Sequence, residues 1–157
     1  MNDLDLRKAC LELMTAAPAV YLSTIGLDGL PRIRAMLNLR NRQQYPDKAH
    51  LYVEHDEDLM VYLSTNTASR KRREIEANPH LALCYCDPAR FFGLTLNGTA
   101  EIIDNAATKE AVWCDGWERY YQITGRPDDP DYTLLRIFPT DASGWTGGRA
   151  FSLSLGR

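Results

Sequence analysis

Between Val61 and Pro88 the rhythm of apolar and polar positions changes twice. Val61-Tyr62-Leu63-Ser64-Thr65 alternates and is rich in β-formers, which predicts a strand. Asn66-Thr67-Ala68-Ser69 is turn and N-cap chemistry. Arg70 to Ala77 predicts a short helix, stopped by Asn78-Pro79 because a residue before proline is pushed out of the helical region. Leu81 to Cys86 predicts the next strand. The rest of the chain is arranged around this strand–turn–helix–strand unit.

Upstream, Leu6, Cys10, Leu13 and Met14 recur at helical spacing, predicting an amphipathic helix from Asp3 to Thr15 that Asn2 or Asp3 caps and Ala17-Pro18 ends. Ala19 to Ile25 alternates as a strand with Val20, Leu22 and Thr24 on one face. Gly26-Leu27-Asp28-Gly29 reads as a turn, both glycines being suited to positive φ. Pro31 to Arg40 is the predicted return strand. Ile33, Ala35, Leu37 and Leu39 share one face, and Arg32, Arg34, Met36, Asn38 and Arg40 the other. A polar loop over 41–48, a short strand from His50 to Glu54 and an acidic turn over 55–58 follow.

Downstream, Phe91 to Asp104 reads as a long strand with a bulge or bend at Asn97-Gly98. A helix from Ala106 to about Tyr121 carries Val112, Trp113, Trp117, Tyr120 and Tyr121, an aromatic stripe suited to a core or a subunit interface. Gly116 weakens that helix. After a loop over 125–131, Tyr132 to Phe138 and Ala150 to Leu155 read as strands, the second an edge. The pattern predicts a mainly β protein of six or seven strands with flanking helices. Strands joined by tight turns pair antiparallel, and such a sheet tends to close into a small barrel.

Charge sharpens this picture at one point. Arg70, Lys71, Arg72 and Arg73 crowd a helix start, where the dipole and the free N–H groups favour acids. The capping-box positions hold Arg70 and Arg72, not an acid. An anion bound there, held by N–H groups, cations and the hydroxyls of Thr65, Thr67 and Ser69, would account for the crowding. A solvated basic turn is the plainer alternative. The basic face of the Pro31–Arg40 strand is a second hint of an anionic ligand, against the alternative of a solvent-facing strand.

The 157 residues suit a single domain spanning 1–157, and a net charge of −3 supplies no global field for nucleic acid. The basic cluster is therefore local and fits a small anion. No apolar run approaches a membrane span and the N-terminus lacks a signal-peptide pattern, so the expected location is the cytoplasm. Cys10, Cys84, Cys86 and Cys114 are expected as reduced thiols, without a metal set. No nucleophile–histidine–acid motif, zinc helix or P-loop is present. If the chain is an enzyme, a cofactor brings the reactivity.

Thr65-Asn66-Thr67-Ala68-Ser69-Arg70-Lys71, followed by Ile75-Glu76-Ala77-Asn78-Pro79 and a strand, resembles the flavin-phosphate motif of the pyridoxamine 5′-phosphate oxidase-like superfamily. Leu22-Ser23-Thr24, Asp28-Gly29, Pro31 and Arg34 resemble its first hairpin, and Leu94 to Glu101 a later strand. Trp113, Trp117, Tyr120-Tyr121, Gly125, Asp129-Pro130-Asp131-Tyr132, Arg136-Ile137 and Pro139 look most like the branch called general stress protein 26.

The resemblance implies a split β-barrel that binds FMN in a groove between two subunits of a homodimer. By the same resemblance Arg34, Ala35, Met36 and Leu37 line the flavin, Ser64 and Thr65 meet its ribityl-phosphate, and Arg70 and Lys71, with Ser69 beside them, hold the phosphate. It implies an FMN-dependent oxidoreductase acting on an unknown small molecule. A non-catalytic flavin-binding stress protein and the same barrel with a deazaflavin or haem are the alternatives. Leu39 stands where the oxidase has a lysine, Gly93 where it has a glutamine, and 143–157 lacks its C-terminal tryptophan–arginine segment. These departures set the chain apart from true pyridoxamine 5′-phosphate oxidation, and no acid–base residue is singled out.

Overall fold

A computed structural model of the chain describes residues 2–156. Its strands are β1 (Ala19–Ile25), β2 (Pro31–Leu37), β3 (Val61–Asn66), β4 (His80–Asp87), β5 (Phe92–Ile103), β6 (Tyr132–Thr146) and β7 (Arg149–Ser154). The helices are α1 (Asp3–Ala16), α2 (Arg70–Ala77) and α3 (Ala106–Val112). All strand pairs are antiparallel, in the order β2-β1-β4-β5-β6-β3, with β7 added along β6. The sheet curls until its end strands, β2 and β3, approach each other without forming a ladder. This is a split barrel, and the split is the β2–β3 seam.

Alternation along the strands sorts side chains into two cores. Val61, Leu63, Leu135 and Ile137 point into the barrel, where they meet Val20, Leu22, Leu83, Tyr85, Leu94 and the Cys10–Leu13–Met14 stripe of α1. Met60, Tyr62, Tyr132 and Leu134 point outward, into a second cluster with Tyr52, Val112, Trp117 and Tyr121. Burying one such large side chain contributes about 1.5–3 kcal/mol, so β3 and β6 are fixed from both faces. The bulge falls between Asn97 and Gly98, where a Cβ on Gly98 would meet the Phe138 carbonyl oxygen at 2.7 Å.

Four expectations are corrected. The return strand stops at Leu37, because Asn38 turns inward and donates to the Met14 and Ala17 carbonyls at the end of α1. Those carbonyls have no partner within the helix, so the side-chain amide satisfies what the helix leaves open. His50–Glu54 is not a strand: a 3-10 turn occupies Pro46–Tyr52, pinned by Lys48, whose ammonium donates to the Ala111 and Trp113 carbonyls at the end of α3. The aromatic helix ends at Val112, and Gly116, at φ +87°, turns the chain into a separate 3-10 turn at Trp117–Arg119. Only Gly29 of the first hairpin takes positive φ, at +80°; Gly26 is there for space, since a Cβ would meet the Leu30 carbonyl oxygen at 2.9 Å.

The basic face of β2 also reads differently once folded. Arg32 pairs with Asp28 at 2.6 Å. Arg40 lies beyond the strand, buried, donating from Nε to the Met60 carbonyl and from Nη2 to the His55 carbonyl, with its guanidinium 4.4 Å from the centre of the Tyr52 ring. Register places Arg34 beside Leu22, on the face that turns into the molecule.

Candidate functional site

An open groove of about 370 Å³ runs along the β2–β3 seam. Ala35, Met36 and Leu37 form one wall, with Pro18 and Ala19 from the start of β1; Ser64, Thr65 and Asn66 form the other; Lys71 stands at one end and Tyr120 and Tyr121 close the outer side. The seam exists because neither end strand has a ladder partner on that side, so the sheet leaves a slot there.

Local chemistry sets the Lys71 end. Ser69 is the N-cap of α2: its hydroxyl accepts from Arg72 N at 3.3 Å and shares a 3.1 Å hydrogen bond with the Thr65 hydroxyl. The helix therefore starts at the tip of β3, and its first free N–H groups lie beside Lys71. Asn66 locks the turn, donating to the Asp131 carboxylate at 2.6 Å and to the Tyr120 carbonyl at 3.0 Å. Thr67 is turned away from the groove: its hydroxyl donates to the Pro130 carbonyl and lies 2.7 Å from the Thr133 hydroxyl.

Two of the four clustered cations are paired with acids of the same helix. Arg72 pairs with Glu76, one helical turn on. Arg70, with its side chain mostly exposed, places Nε 3.3 Å from Glu74 Oε1. Arg34 places Nη2 2.8 Å from Glu74 Oε2 and donates from Nη1 to the Thr24 hydroxyl at 2.7 Å; that hydroxyl donates to Glu74 Oε2 at 2.5 Å. Glu74 is 1% exposed. Burial pushes its carboxyl up, but the Thr24 hydrogen bond and Arg34 outweigh burial and hold it below its ordinary value. Lys71, by contrast, has no hydrogen-bond or ion-pair partner among the described residues. Burial, then the Arg34 charge, pull its ammonium below its ordinary range, against the attraction of Glu74. Burial raises the Tyr121 phenol to about 12 despite its hydrogen bond with Ser64, so it is neutral at physiological pH.

The residues picked out from the sequence therefore fall into two groups. Ala35, Met36, Leu37, Ser64, Thr65 and Lys71 line one groove together. Arg34, Ser69 and Arg70 stand behind or beside it, each held by a protein partner. Glu74 and Tyr121 were missed. Glu74 had a signal, an acid four residues after Arg70 on the same helix, where the two share a face. Tyr121 had none, because its place depends on the Gly116 break. Trp145 lies opposite Gly93 near the β6–β7 turn, outside the groove lining.

The arrangement suits an elongated ligand with a flat apolar part and an anionic end. Small-molecule sites run to roughly 300–1,000 Å³, and this groove falls in that range. Among the described residues no helix is long and apolar enough to cross a membrane.

Comparison with known proteins identifies the fold and the family. The pyridoxamine 5′-phosphate oxidase family model matches residues 6–146. A Clostridium acetobutylicum protein described as related to general stress protein 26, of the pyridoxinephosphate oxidase family, is 29% identical, with 98% of this chain and 96% of that chain covered and a TM-score of 0.77. General stress protein 26 from Bacillus anthracis is 20% identical, covering 94% of this chain and 98% of that one at a TM-score of 0.67. A structure described as an F420 reductase is 23% identical over 84% of this chain and 94% of its own, with a TM-score of 0.58. The last two show the shared fold. No curated protein matches the chain. A family model spanning nearly the whole sequence, on a split barrel of the expected topology, places this chain in the pyridoxamine 5′-phosphate oxidase family, which includes oxidoreductases.

Proposed function

We propose that the β2–β3 groove binds FMN and that the protein is an FMN-dependent oxidoreductase acting on a small molecule. The observation that carries this reading is the groove itself. It joins an apolar wall, Ala35 to Leu37, to a hydroxyl-lined wall, Ser64 and Thr65, and ends at an unpaired lysine beside a helix start. The residues fit the group. Lys71 and the first N–H groups of α2 would take the phosphate, Thr65 and Ser64 the ribityl chain, and the β2 edge the flat ring. FMN, when bound, supplies hydride or electron transfer. Lys71 then orients the phosphate, the β2 backbone positions the ring edge, and neutral Tyr121 excludes water from the outer side without adding charge.

A second copy of the chain would complete the site. The outer face of the β1–β2 hairpin exposes Tyr21, Ile25 and Ile33 next to the groove wall, Ile33 being 69% exposed. An apolar face of this kind, continuous with an open groove, is what a two-fold interface covers. The homodimer is part of the proposal, with cytoplasmic location.

One observation keeps a non-catalytic second reading open. Among the described residues the groove lining holds no carboxylate, histidine or thiol. Direct hydride transfer needs none, and neither does flavin sequestration or redox sensing. Fluorescence quenching on titration with FMN tests binding; anaerobic mixing of the flavin-loaded protein with NADPH or NADH then separates the readings. Bleaching of the flavin band, followed by reoxidation with an acceptor, supports the oxidoreductase. Bound flavin that neither donor reduces supports the second reading, and absence of quenching overturns both.

A further inference from the structure

The basic start of α2 has a counter-anion built into the protein. Glu74 sits one helical turn after Arg70, is 1% exposed, and is shared unequally between its neighbours. Its Oε2 is fully engaged by Thr24 and Arg34. Its Oε1 is sealed from solvent, makes no hydrogen bond, and faces only the loosely held Arg70 Nε at 3.3 Å. A buried carboxylate oxygen without a hydrogen bond is costly. A pure structural tie between β2 and α2 would be served by Oε2 alone. The open oxygen faces Arg70, the neighbour of Lys71 in the first turn of α2.

We infer that Glu74 is a selectivity-setting residue: it pairs with both Arg34 and Arg70 in the ligand-free protein and, from behind the groove, limits the preference for a phosphorylated ligand over its unphosphorylated counterpart. The inference rests on the phosphate placement proposed above. Glu74 cancels one positive charge of the set Arg34, Arg70 and Lys71, so the field felt by a phosphate is weaker than the basic sequence suggests. Arg70, mostly exposed and held at one atom, is the cation free to turn from Glu74 to the ligand; Arg34, bound at several atoms, stays. Glu74 touches no ligand in this account. It acts through Arg34, Arg70 and Lys71.

The test compares Glu74→Gln with Thr24→Val in the full-length protein. Gln keeps an oxygen for Thr24 and Arg34 and removes the charge; Val removes a hydrogen bond to Glu74 and keeps the charge. Dissociation constants for FMN and riboflavin are measured by fluorescence quenching, and melting temperatures with and without inorganic phosphate. Glu74→Gln is expected to raise the riboflavin-to-FMN ratio of dissociation constants on the order of tenfold, with riboflavin binding itself unmoved, while Thr24→Val leaves the ratio unchanged. An unchanged or lower ratio in Glu74→Gln, or an equal rise in Thr24→Val, overturns the role. Should Glu74→Gln not fold, Glu74→Asp keeps the charge behind the groove and is expected to leave the ratio unchanged; a ratio raised in Glu74→Asp overturns the inference. If neither flavin binds the wild type, the flavin reading falls, and the phosphate melts decide this one. A larger phosphate-induced rise in Glu74→Gln than in wild type supports it, and an equal rise overturns it.

Discussion

Arg34 Nη2 lies 2.8 Å from Glu74 Oε2, so a partly exposed strand-edge arginine and a buried helix carboxylate forty residues apart in sequence form one pair. The pair ties β2, one wall of the groove, to α2, whose start forms the groove's charged end. Removing Glu74 leaves the partly buried Arg34 without its counter-charge and the Thr24 hydroxyl without its acceptor. Glu74→Ala is expected to cost about 1.5–3 kcal/mol, the range for a hydrogen bond to a charged group, read from urea unfolding. A loss below about 1 kcal/mol would mean that the pair behaves as a surface salt bridge.

The same carboxyl gives an acid dependence. Its folded value lies below the ordinary 4.5, so its contribution is fully present above that pH and is lost as pH falls through the lowered folded value. Unfolding free energy measured from pH 6 down to pH 2 is expected to fall less steeply in Glu74→Gln than in wild type. Parallel curves would contradict this.

Stability also falls at alkaline pH, for a different reason. Burial raises the Cys10 and Cys114 thiols from 9.0 to about 11 and the Tyr121 phenol from 10.0 to about 12. The fold retains protons that the unfolded chain releases, so stability is present below the ordinary values and is lost as pH rises through the folded ones. Denaturant midpoints are expected to drop from pH 9 to pH 12, and the drop is expected to be smaller in Cys114→Ala. A flat profile over this range would contradict the burial of these groups.

The aromatic cluster outside the barrel supports the groove from behind. Trp117 is 2% exposed, with ring centroids 5.8 Å from Trp113 and Tyr132 and 6.1 Å from Tyr121, which lines the groove. Trp117→Ala is expected to cost about 3–5 kcal/mol in chemical denaturation and to weaken flavin binding through Tyr121. Unchanged flavin affinity would separate the cluster from the site.

The strand and helix boundaries around α2 were readable from local chemistry because the signals there agree: alternation, a serine cap, and Asn78-Pro79 as the stop. The sequence was misleading where long-range hydrogen bonds override local rhythm. Alternation continues to Arg40, yet Asn38 leaves the strand to serve carbonyls of α1, more than twenty residues earlier. His50–Glu54 also reads as a short strand, but Lys48 recruits the segment to the end of α3. At the candidate site, Ala35–Leu37, Ser64, Thr65 and Lys71 were found through the resemblance, and their gathering in one groove follows from the β2–β3 split. The pairing of Arg34 with Glu74 depends on the tertiary fold and had no local sign.

Lys71 is the cation that the fold leaves unpaired at the groove, so its removal carries the largest expected effect on ligand. Lys71→Ala is expected to weaken FMN by about 1.5–3 kcal/mol, the range for a hydrogen bond to a charged group, and to leave riboflavin affinity unchanged. Equal losses for both ligands would place the phosphate elsewhere.

The most direct measurement is a crystal structure of the protein grown with excess FMN. The account predicts the phosphate within hydrogen-bond reach of the Lys71 ammonium and the first turn of α2, with the flat ring along Ala35 to Leu37. A flavin bound away from the β2–β3 seam, or seated there with its phosphate pointing away from Lys71, would contradict it.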